Sequence, residues 1–193
     1  FTNLMRWSRG VDTDLFHPRD GAVYDLPRPI FLNVGRVAVE KNLEAFLDLD
    51  LPGSKVVIGD GPQLAELKRK YPDVHFLGSK TGEDLAAHYA AADVFVFPSL
   101  TDTFGNVVVE ALASGLPVAA FPVMGPIDIV GDTDAGVLSG DLRKACLAAL
   151  SIPKQTAIDL ARRFDWRFSA EQFRANLEEA QIRRRAMQAA HVG

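Results

Sequence analysis

Two basic residues, Arg36 and Lys41, lie five positions apart in a loop over residues 34–42. Gly35, in the same loop, would let the backbone approach a ligand closely. An arginine can hold phosphate oxygens with two parallel hydrogen bonds, while a lysine acts as a point charge. The loop therefore fits a diphosphate group. Two solvated surface cations, one of them paired with Glu40, are the alternative explanation.

A carboxylate inside an apolar helical stretch, Glu110, is the second candidate for chemistry. It lies between Asn106 and Ser114 at a spacing of four residues, so the three side chains share one side of a helix. A carboxylate among apolar residues needs hydrogen-bond partners. Sugar hydroxyls would suit, because a carboxylate can accept from two of them at once. A stripe that simply faces solvent explains the same spacing.

The turn before this helix offers a place for an anion. The N-terminus of the helix, near Phe104, Gly105 and Asn106, presents free N–H groups and a partial positive charge. Either Asp102 or Thr103 is predicted to cap that terminus with its side-chain oxygen.

A third loop, over residues 76–83, also joins a predicted strand to a predicted helix. Gly78 and Gly82 would let a flat ring lie against the backbone beside Lys80 and Thr81. An ordinary flexible loop is the alternative here.

Signals for a metal site are weak. Asp-x-Asp patterns begin at Asp12, Asp48 and Asp132, but all three stand in turn-like contexts that explain them. The four histidines show no metal-ligand spacing. Cys146 lies among leucines on a predicted helix and fits a core position. We therefore expect no metal site.

The elements that must position these residues follow from a repeated pattern. Short apolar runs rich in Val, Ile and Phe, typical of strands buried on both faces, alternate with helical patterns. This alternation predicts an α/β fold with a doubly wound parallel sheet of about six strands. Such a sheet binds ligands at the carboxyl ends of its strands, where the three loops lie. The predicted strands are 30–34, 55–58, 74–77, 94–97, 117–121 and 136–138, and the helices are 43–47, 63–70, 83–91, 103–114 and 141–150.

The flanks of the chain differ from its centre. Residues 1–29 have little periodicity and are predicted to be a leading segment or linker, while 30–165 form the Rossmann-like domain and 166–193 a helical tail. Two helices are expected, over 153–164 and 169–189. The chain begins with Phe, so we expect a piece of a longer protein.

Composition narrows the class of protein. The chain has 193 residues, a formal net charge of −4 and 48% hydrophobic residues, as expected for a soluble domain that does not bind nucleic acid. The single cysteine fits a reducing compartment, so we expect a cytoplasmic location. The basic run Arg183–Arg185 is either a solvated helix face or a contact with a membrane surface.

Together the motifs resemble the C-terminal, nucleotide-sugar-binding domain of retaining glycosyltransferases of the two-domain GT-B type, family 4, also called glycosyl transferases group 1. The resemblance covers roughly residues 8–150. It implies a fold with a Rossmann-like donor domain. The matching motifs are an acidic residue seven positions before a glutamate (Asp102 and Glu110), the loop over 35–42, Gly59-Asp60-Gly61-Pro62, and the segment 10–18.

The resemblance implies a role for each candidate residue. Arg36 and Lys41 would hold the donor diphosphate, Glu110 would bind the ribose hydroxyls, and Asp102 would contact the transferred sugar. The backbone of residues 104–106 would face the diphosphate and the sugar. These groups would stabilise the leaving diphosphate without a metal ion or a cofactor.

The resemblance also implies partners and leaves alternatives. The loop of Lys80 and Thr81 would lie against the base of a UDP- or GDP-linked hexose donor. The acceptor, a lipid or a glycan, would bind to an N-terminal domain outside this chain, with peripheral contact to the inner face of a membrane for a lipid acceptor. Asp102 is one methylene shorter than the glutamate usual in the family. Another GT-B enzyme (a synthase, phosphorylase or epimerase) and a non-catalytic α/β binding module are the alternatives.

Overall fold

A parallel six-stranded sheet forms the centre of the computed structural model, which describes residues 5, 7, 9–21, 23–102, 104–131 and 133–190. The strands stand in the order β3-β2-β1-β4-β5-β6. This order is that of a doubly wound sheet, so the predicted fold class is confirmed. The strands are β1 (Ile30–Val34), β2 (Ser54–Ile58), β3 (His75–Phe76), β4 (Val94–Phe97), β5 (Val118–Ala120) and β6 (Gly136–Leu138).

Helices cover both faces of the sheet. In chain order they are α1 (Glu44–Leu47), α2 (Leu64–Lys70), α3 (Gly82–Ala91), α4 (Asn106–Ala113), α5 (Pro126–Ile129), α6 (Leu142–Ala149), α7 (Lys154–Ala161) and α8 (Trp166–Ala190), with 3-10 turns at Val39–Lys41 and Arg162–Phe164.

Alternate residues of β1 enter two separate cores. Ile30 and Leu32 pack with residues of α3, α4 and α7, whereas Phe31 packs on the other face with residues of α1, α2 and α6. All five residues of β1 are buried. This is why the strand has a continuous apolar sequence rather than an alternating one.

The leading segment packs against the domain. The N–H of Val11 donates to the carbonyl of Phe164 at 2.7 Å, so the chain before β1 lies beside the turn that precedes α8. Further along, the Phe16 ring is buried edge-on to Tyr89, with ring centroids 5.7 Å apart. Part of the predicted linker thus contributes to the core on the α3 and α4 side of the sheet.

The predicted element bounds differ from the structure mainly at the ends. The strand expected over 74–77 is shortened to two residues, and the last helix begins three residues earlier than expected, at Trp166. The sequence patterns missed α5 and the 3-10 turn at Val39–Lys41, because each is too short to show periodicity. Gly115, which follows α4, has a φ of +84°, in the left-handed region that favours glycine.

The loop after β1 is packed tightly on the loop after β2. A Cβ at Gly61 would clash with the Val37 carbonyl oxygen, with the carbonyl carbon of the same residue only 2.7 Å away. The N–H of Gln63 donates to that oxygen at 3.1 Å, and the N–H of Val37 donates to the carbonyl of Asp60 at 2.9 Å. Only glycine allows this approach of two backbones.

We predict that Gly61→Ala lowers the free energy of unfolding by about 1–3 kcal/mol, since two backbone segments must separate to admit a methyl group. Gly140→Ala is the matched control, because a Cβ there would meet nothing within 4 Å and neither glycine has a φ in the left-handed region. The control should change stability by less than about 0.5 kcal/mol. Urea unfolding of both variants tests this, and equal losses would contradict it.

Candidate functional site

A cleft of about 290 Å³ opens at the carboxyl ends of β1 and β4. These neighbouring strands are followed by crossovers that leave in opposite directions, one toward β2 and the other toward β5. That divergence creates the crevice in which doubly wound sheets bind ligands. The lining residues are Asn33, Val34, Gly35, Arg36, Lys41, Phe97, Pro98, Ser99, Asp102, Gly105, Asn106 and Val107.

The two loops that flank the cleft are joined to one another. The Asn42 side chain, at a residue with a φ of +51°, donates to the carbonyl of Pro98 at 3.0 Å. Deeper in the cleft, the amide of Asn33 is almost fully buried and donates to the carbonyl of Val96 at 2.9 Å. These side-chain bonds fix the β1 loop relative to the β4 loop.

Gly35 leaves room for a ligand beside the loop. A Cβ at this position would meet no atom within 4 Å, while its N–H is held by the carbonyl of Ile58 at 3.0 Å. The backbone is therefore fixed but open on the side where a side chain would stand. The close approach of a ligand to Gly35 stays a prediction.

Both predicted cations carry a carboxylate partner. Lys41 Nζ lies 2.5 Å from Asp102 Oδ2, and the two side chains are only 29% and 18% exposed. Arg36 lies 3.7 Å from Glu40, and both side chains are more exposed, at 66% and 50%. Lys41 and Asp102, which are 61 positions apart in sequence, therefore meet as an ion pair at the cleft.

The prediction that Asp102 caps helix α4 is wrong. The helix begins at Asn106 and its N-cap is Gly105, in the left-handed region with a φ of +80°, with no side-chain cap. The carboxylate of Asp102 turns to Lys41 instead. Thr103, the other predicted cap, lies outside the described residues. Gly105, Asn106 and Val107 line the cleft, so the N–H groups of the first turn lie beside it.

Glu110 lies one helical turn beyond Asn106 and is half-buried. The hydroxyl of the fully buried Tyr89 donates to Glu110 Oε2 at 2.9 Å. Burial raises the pKa of Glu110, and the bond from Tyr89 opposes part of that rise. Ser114, four residues on, is completely buried. Asn106, by contrast, is exposed, so the stripe faces solvent at its first residue but not along its whole length.

The lining of the cleft does not include the remaining predicted site residues, Glu110, Phe104, Lys80 and Thr81. The ring of Phe104 stands edge-on to Phe164, with centroids 6.3 Å apart, so its side chain packs into the core. Thr81 is the N-cap of α3. Lys80 pairs with Asp84 at 2.8 Å and lines a second cavity of about 300 Å³.

Other sequence signals have structural explanations. Asp12 accepts the N–H groups of Asp14 and Leu15 at 3.1 Å, so that Asp-x-Asp pattern forms a turn, as predicted. Asp132 lies outside the described residues. Cys146 is buried, which raises its pKa to about 12. Over the described part of the chain, no cluster of three or more His, Cys, Asp and Glu side chains could hold a metal ion.

Comparison with known proteins identifies the family. Residues 28–151, more than half of the chain, match the family model described as Glycosyl transferases group 1. The chain belongs to the group 1 glycosyltransferases. The matched range contains the whole cleft and both strands that form it. Within the described residues of this glycosyltransferase chain, none of the helices is both long and apolar enough to cross a membrane.

Two relatives show how much of a protein the glycosyltransferase chain represents. It is 31% identical to the sulfoquinovosyl transferase SQD2 of Arabidopsis thaliana, covering 93% of this chain and 40% of that protein. It is 39% identical to a GDP-mannose-dependent alpha-mannosyltransferase of Mycobacterium tuberculosis, covering 70% of this chain and 38% of that protein. The chain thus spans about two fifths of the length of the relatives it matches.

A solved structure supports the fold of the glycosyltransferase chain. The sucrose-phosphate synthase of Thermosynechococcus elongatus superposes with a TM-score of 0.72 and 26% identity, covering 94% of this chain and 52% of that one. The leading segment and the C-terminal helices fall largely within this alignment, because it leaves out only 6% of the chain.

Sequence reasoning missed two polar side chains in this region of the glycosyltransferase. Asn33 lies inside an apolar strand and Tyr89 lies among the buried residues of α3. The periodicity of the sequence therefore assigns both residues to the core. A polar residue at a strictly buried position was the one signal that could have found them.

We predict a larger coupling energy for the Lys41–Asp102 pair than for Arg36–Glu40, because the first pair is closer and less exposed. Double-mutant cycles with Lys41→Met and Asp102→Asn, and with Arg36→Met and Glu40→Gln, measure both couplings by urea unfolding. The expected couplings are about 1–2 kcal/mol and below about 0.5 kcal/mol. Equal couplings in the two cycles would show that burial adds nothing to the first pair.

Proposed function

We propose that this chain is the donor-binding half of a retaining glycosyltransferase that moves a hexose from a nucleotide diphosphate sugar to a lipid or glycan acceptor. One observation carries the proposal. The switch-point cleft brings a loop with two cations, the N-terminus of α4 and an ion-paired aspartate together, in a chain of the group 1 glycosyltransferase family. The relatives, named for mannosyl and sulfoquinovosyl transfer, support a sugar donor.

The donor diphosphate is assigned to the space between Arg36, Lys41 and the first turn of α4. Both cations pair with carboxylates of the chain, so a diphosphate would share or replace Glu40 and Asp102 as their partner. The N–H groups near residues 104–106 add partial positive charge. Together these groups would stabilise the negative charge that develops on the leaving diphosphate.

The sugar hydroxyls are assigned to the two acids. Glu110 would accept hydrogen bonds from the ribose, since one bond from Tyr89 leaves most of its lone-pair capacity unused. Asp102 would contact the transferred hexose from its position beside Lys41. The loop of Lys80 and Thr81, at the start of α3, would lie against the base.

The acceptor site is assigned to an N-terminal domain of the same enzyme, which would close over the cleft. We place the enzyme in the cytoplasm, at the inner face of the membrane for a lipid acceptor. The superposition on sucrose-phosphate synthase favours a synthase as the second candidate. Analysis of the products made by the full-length protein would separate the two.

We predict that the chain binds one of UDP, GDP or ADP, and that Glu110→Ala weakens this binding at least about 10-fold, the value of a lost hydrogen bond to a charged group. Glu66→Ala, an exposed glutamate on α2, is the control and should bind as the wild type does. Calorimetric or NMR titration measures the affinities. Unchanged affinity in Glu110→Ala would overturn the ribose assignment.

We also propose that no metal ion takes part, since cations and a helix terminus face the diphosphate. Turnover of the donor by the full-length enzyme should therefore continue at an unchanged rate in the presence of a chelator. The measurement is initial rate with and without EDTA, followed by addition of Mg²⁺. A rate lost to EDTA and restored by Mg²⁺ would refute metal independence.

A further inference from the structure

Among the described bonds, the only partner of the Glu110 carboxylate is a tyrosine on a neighbouring helix. Tyr89, on α3, reaches across to α4 and donates its hydroxyl hydrogen to Glu110 Oε2 at 2.9 Å. The two residues are 21 positions apart in sequence, so the bond joins two separate helices rather than neighbours on one helix.

The ring of Tyr89 is held between two other aromatic rings. The ring is fully buried, edge-on to Phe16 at 5.7 Å and tilted against Phe95 at 5.8 Å between centroids. Burial raises the pKa of Tyr89 well above its ordinary value, and the neighbouring Glu110 and Tyr24 add to the rise. The hydroxyl therefore stays protonated and acts as a donor at neutral pH.

We propose that Tyr89 is the positioning residue of Glu110, which fixes one carboxylate oxygen so that the carboxylate meets the ribose hydroxyls in a single orientation. This inference rests on the proposed function, because it takes the ribose as the ligand of Glu110. A glutamate side chain has three rotatable bonds, and fixing it before binding removes an entropy cost from the binding step. Tyr89 itself does not touch the nucleotide.

The geometry of α3 extends the effect to the base. Helix α3 begins at Gly82, directly after Thr81, and Tyr89 lies two turns further along the same helix. The bond to Glu110 therefore ties the helix that carries the base loop to the helix that carries the ribose carboxylate. A nucleotide that bound to both helices would therefore contact two elements that this hydrogen bond joins directly.

Tyr24, in the segment before β1, provides a matched control because its hydroxyl also bonds to α3. Its hydroxyl is partly buried and donates to the carbonyl of His88, the neighbour of Tyr89, at 3.0 Å. Tyr24→Phe and Tyr89→Phe thus each remove one hydroxyl that bonds at α3 and keep the aromatic ring. Only Tyr89→Phe removes a donor from Glu110.

The experiment is a titration of the chain with UDP, GDP and ADP in five forms: wild type, Tyr89→Phe, Tyr24→Phe, Glu110→Gln, and the double variant Tyr89→Phe with Glu110→Gln. Tyr89→Phe should weaken nucleotide binding about three- to tenfold, the range that one hydrogen bond contributes. Tyr24→Phe should bind as the wild type does. In a Glu110→Gln background, Tyr89→Phe should have a clearly smaller effect, because the carboxylate it positions is gone.

The pH profile separates positioning from packing. The Tyr89 bond favours the ionised form of Glu110, so its removal raises the pKa of that carboxyl. The pH below which nucleotide affinity falls should therefore move upward in Tyr89→Phe and stay in place in Tyr24→Phe. Carbon-13 NMR of the Glu110 carboxyl group measures the same shift without nucleotide.

The outcomes distinguish this inference from the proposed function. If the chain binds no nucleotide, both are overturned. If the chain binds nucleotide but Glu110→Ala leaves the affinity unchanged, the ribose assignment and the role of Tyr89 are overturned, while donor binding stands. If Glu110→Ala weakens binding but Tyr89→Phe does not, only the positioning role of Tyr89 is overturned. An equal loss from Tyr89→Phe in the wild-type and Glu110→Gln backgrounds, or a pH profile that does not move, also overturns it.

Discussion

The central position of β1 is the constraint on which the rest of the site depends. Because β1 pairs with β2 on one side and with β4 on the other, the connections after β1 and β4 must diverge. The cleft between them follows from that divergence and needs no further feature of the sequence. The sequence supplies only the side chains of the loops on either side, and Asn42 joins those loops across the gap.

The two cations of the cleft loop are paired with carboxylates of the same chain. Lys41 is paired with Asp102 and Arg36 with Glu40, so the cations are ordered by carboxylates of the chain itself. An anionic ligand would therefore replace the carboxylate partner of a cation rather than neutralise an unpaired charge. Such exchange favours ligands that offer more than a single negative group, because each pair broken needs a replacement. A diphosphate linked to sugar hydroxyls fits that requirement.

The sequence was sufficient to predict where the strands lie. Strands buried on both faces have short, continuous apolar runs, and these runs alternate with helical patterns along the chain. Ile30–Val34 and Val94–Phe97 were predicted with their observed bounds. It was insufficient where a long-range contact decides the outcome. Asp102 has the local signature of a helix cap, but Lys41, 61 positions earlier, is the stronger partner for its carboxylate. Tyr89 showed only a polar group at a predicted core position, since its contact with Glu110 depends on a helix that lies next to its own.

Glu110 is a half-buried carboxylate that lowers the stability of the fold at neutral pH. Burial raises its pKa above the unfolded value, so the group favours the folded state fully only at low pH, and that contribution is lost as pH rises through the folded pKa. At neutral pH the ionised carboxylate therefore opposes folding, and the bond from Tyr89 offsets only part of this. An apolar side chain at this position of α4 would remove the penalty. The proposed contact with ribose hydroxyls would give this carboxylate a physical reason to remain at that position.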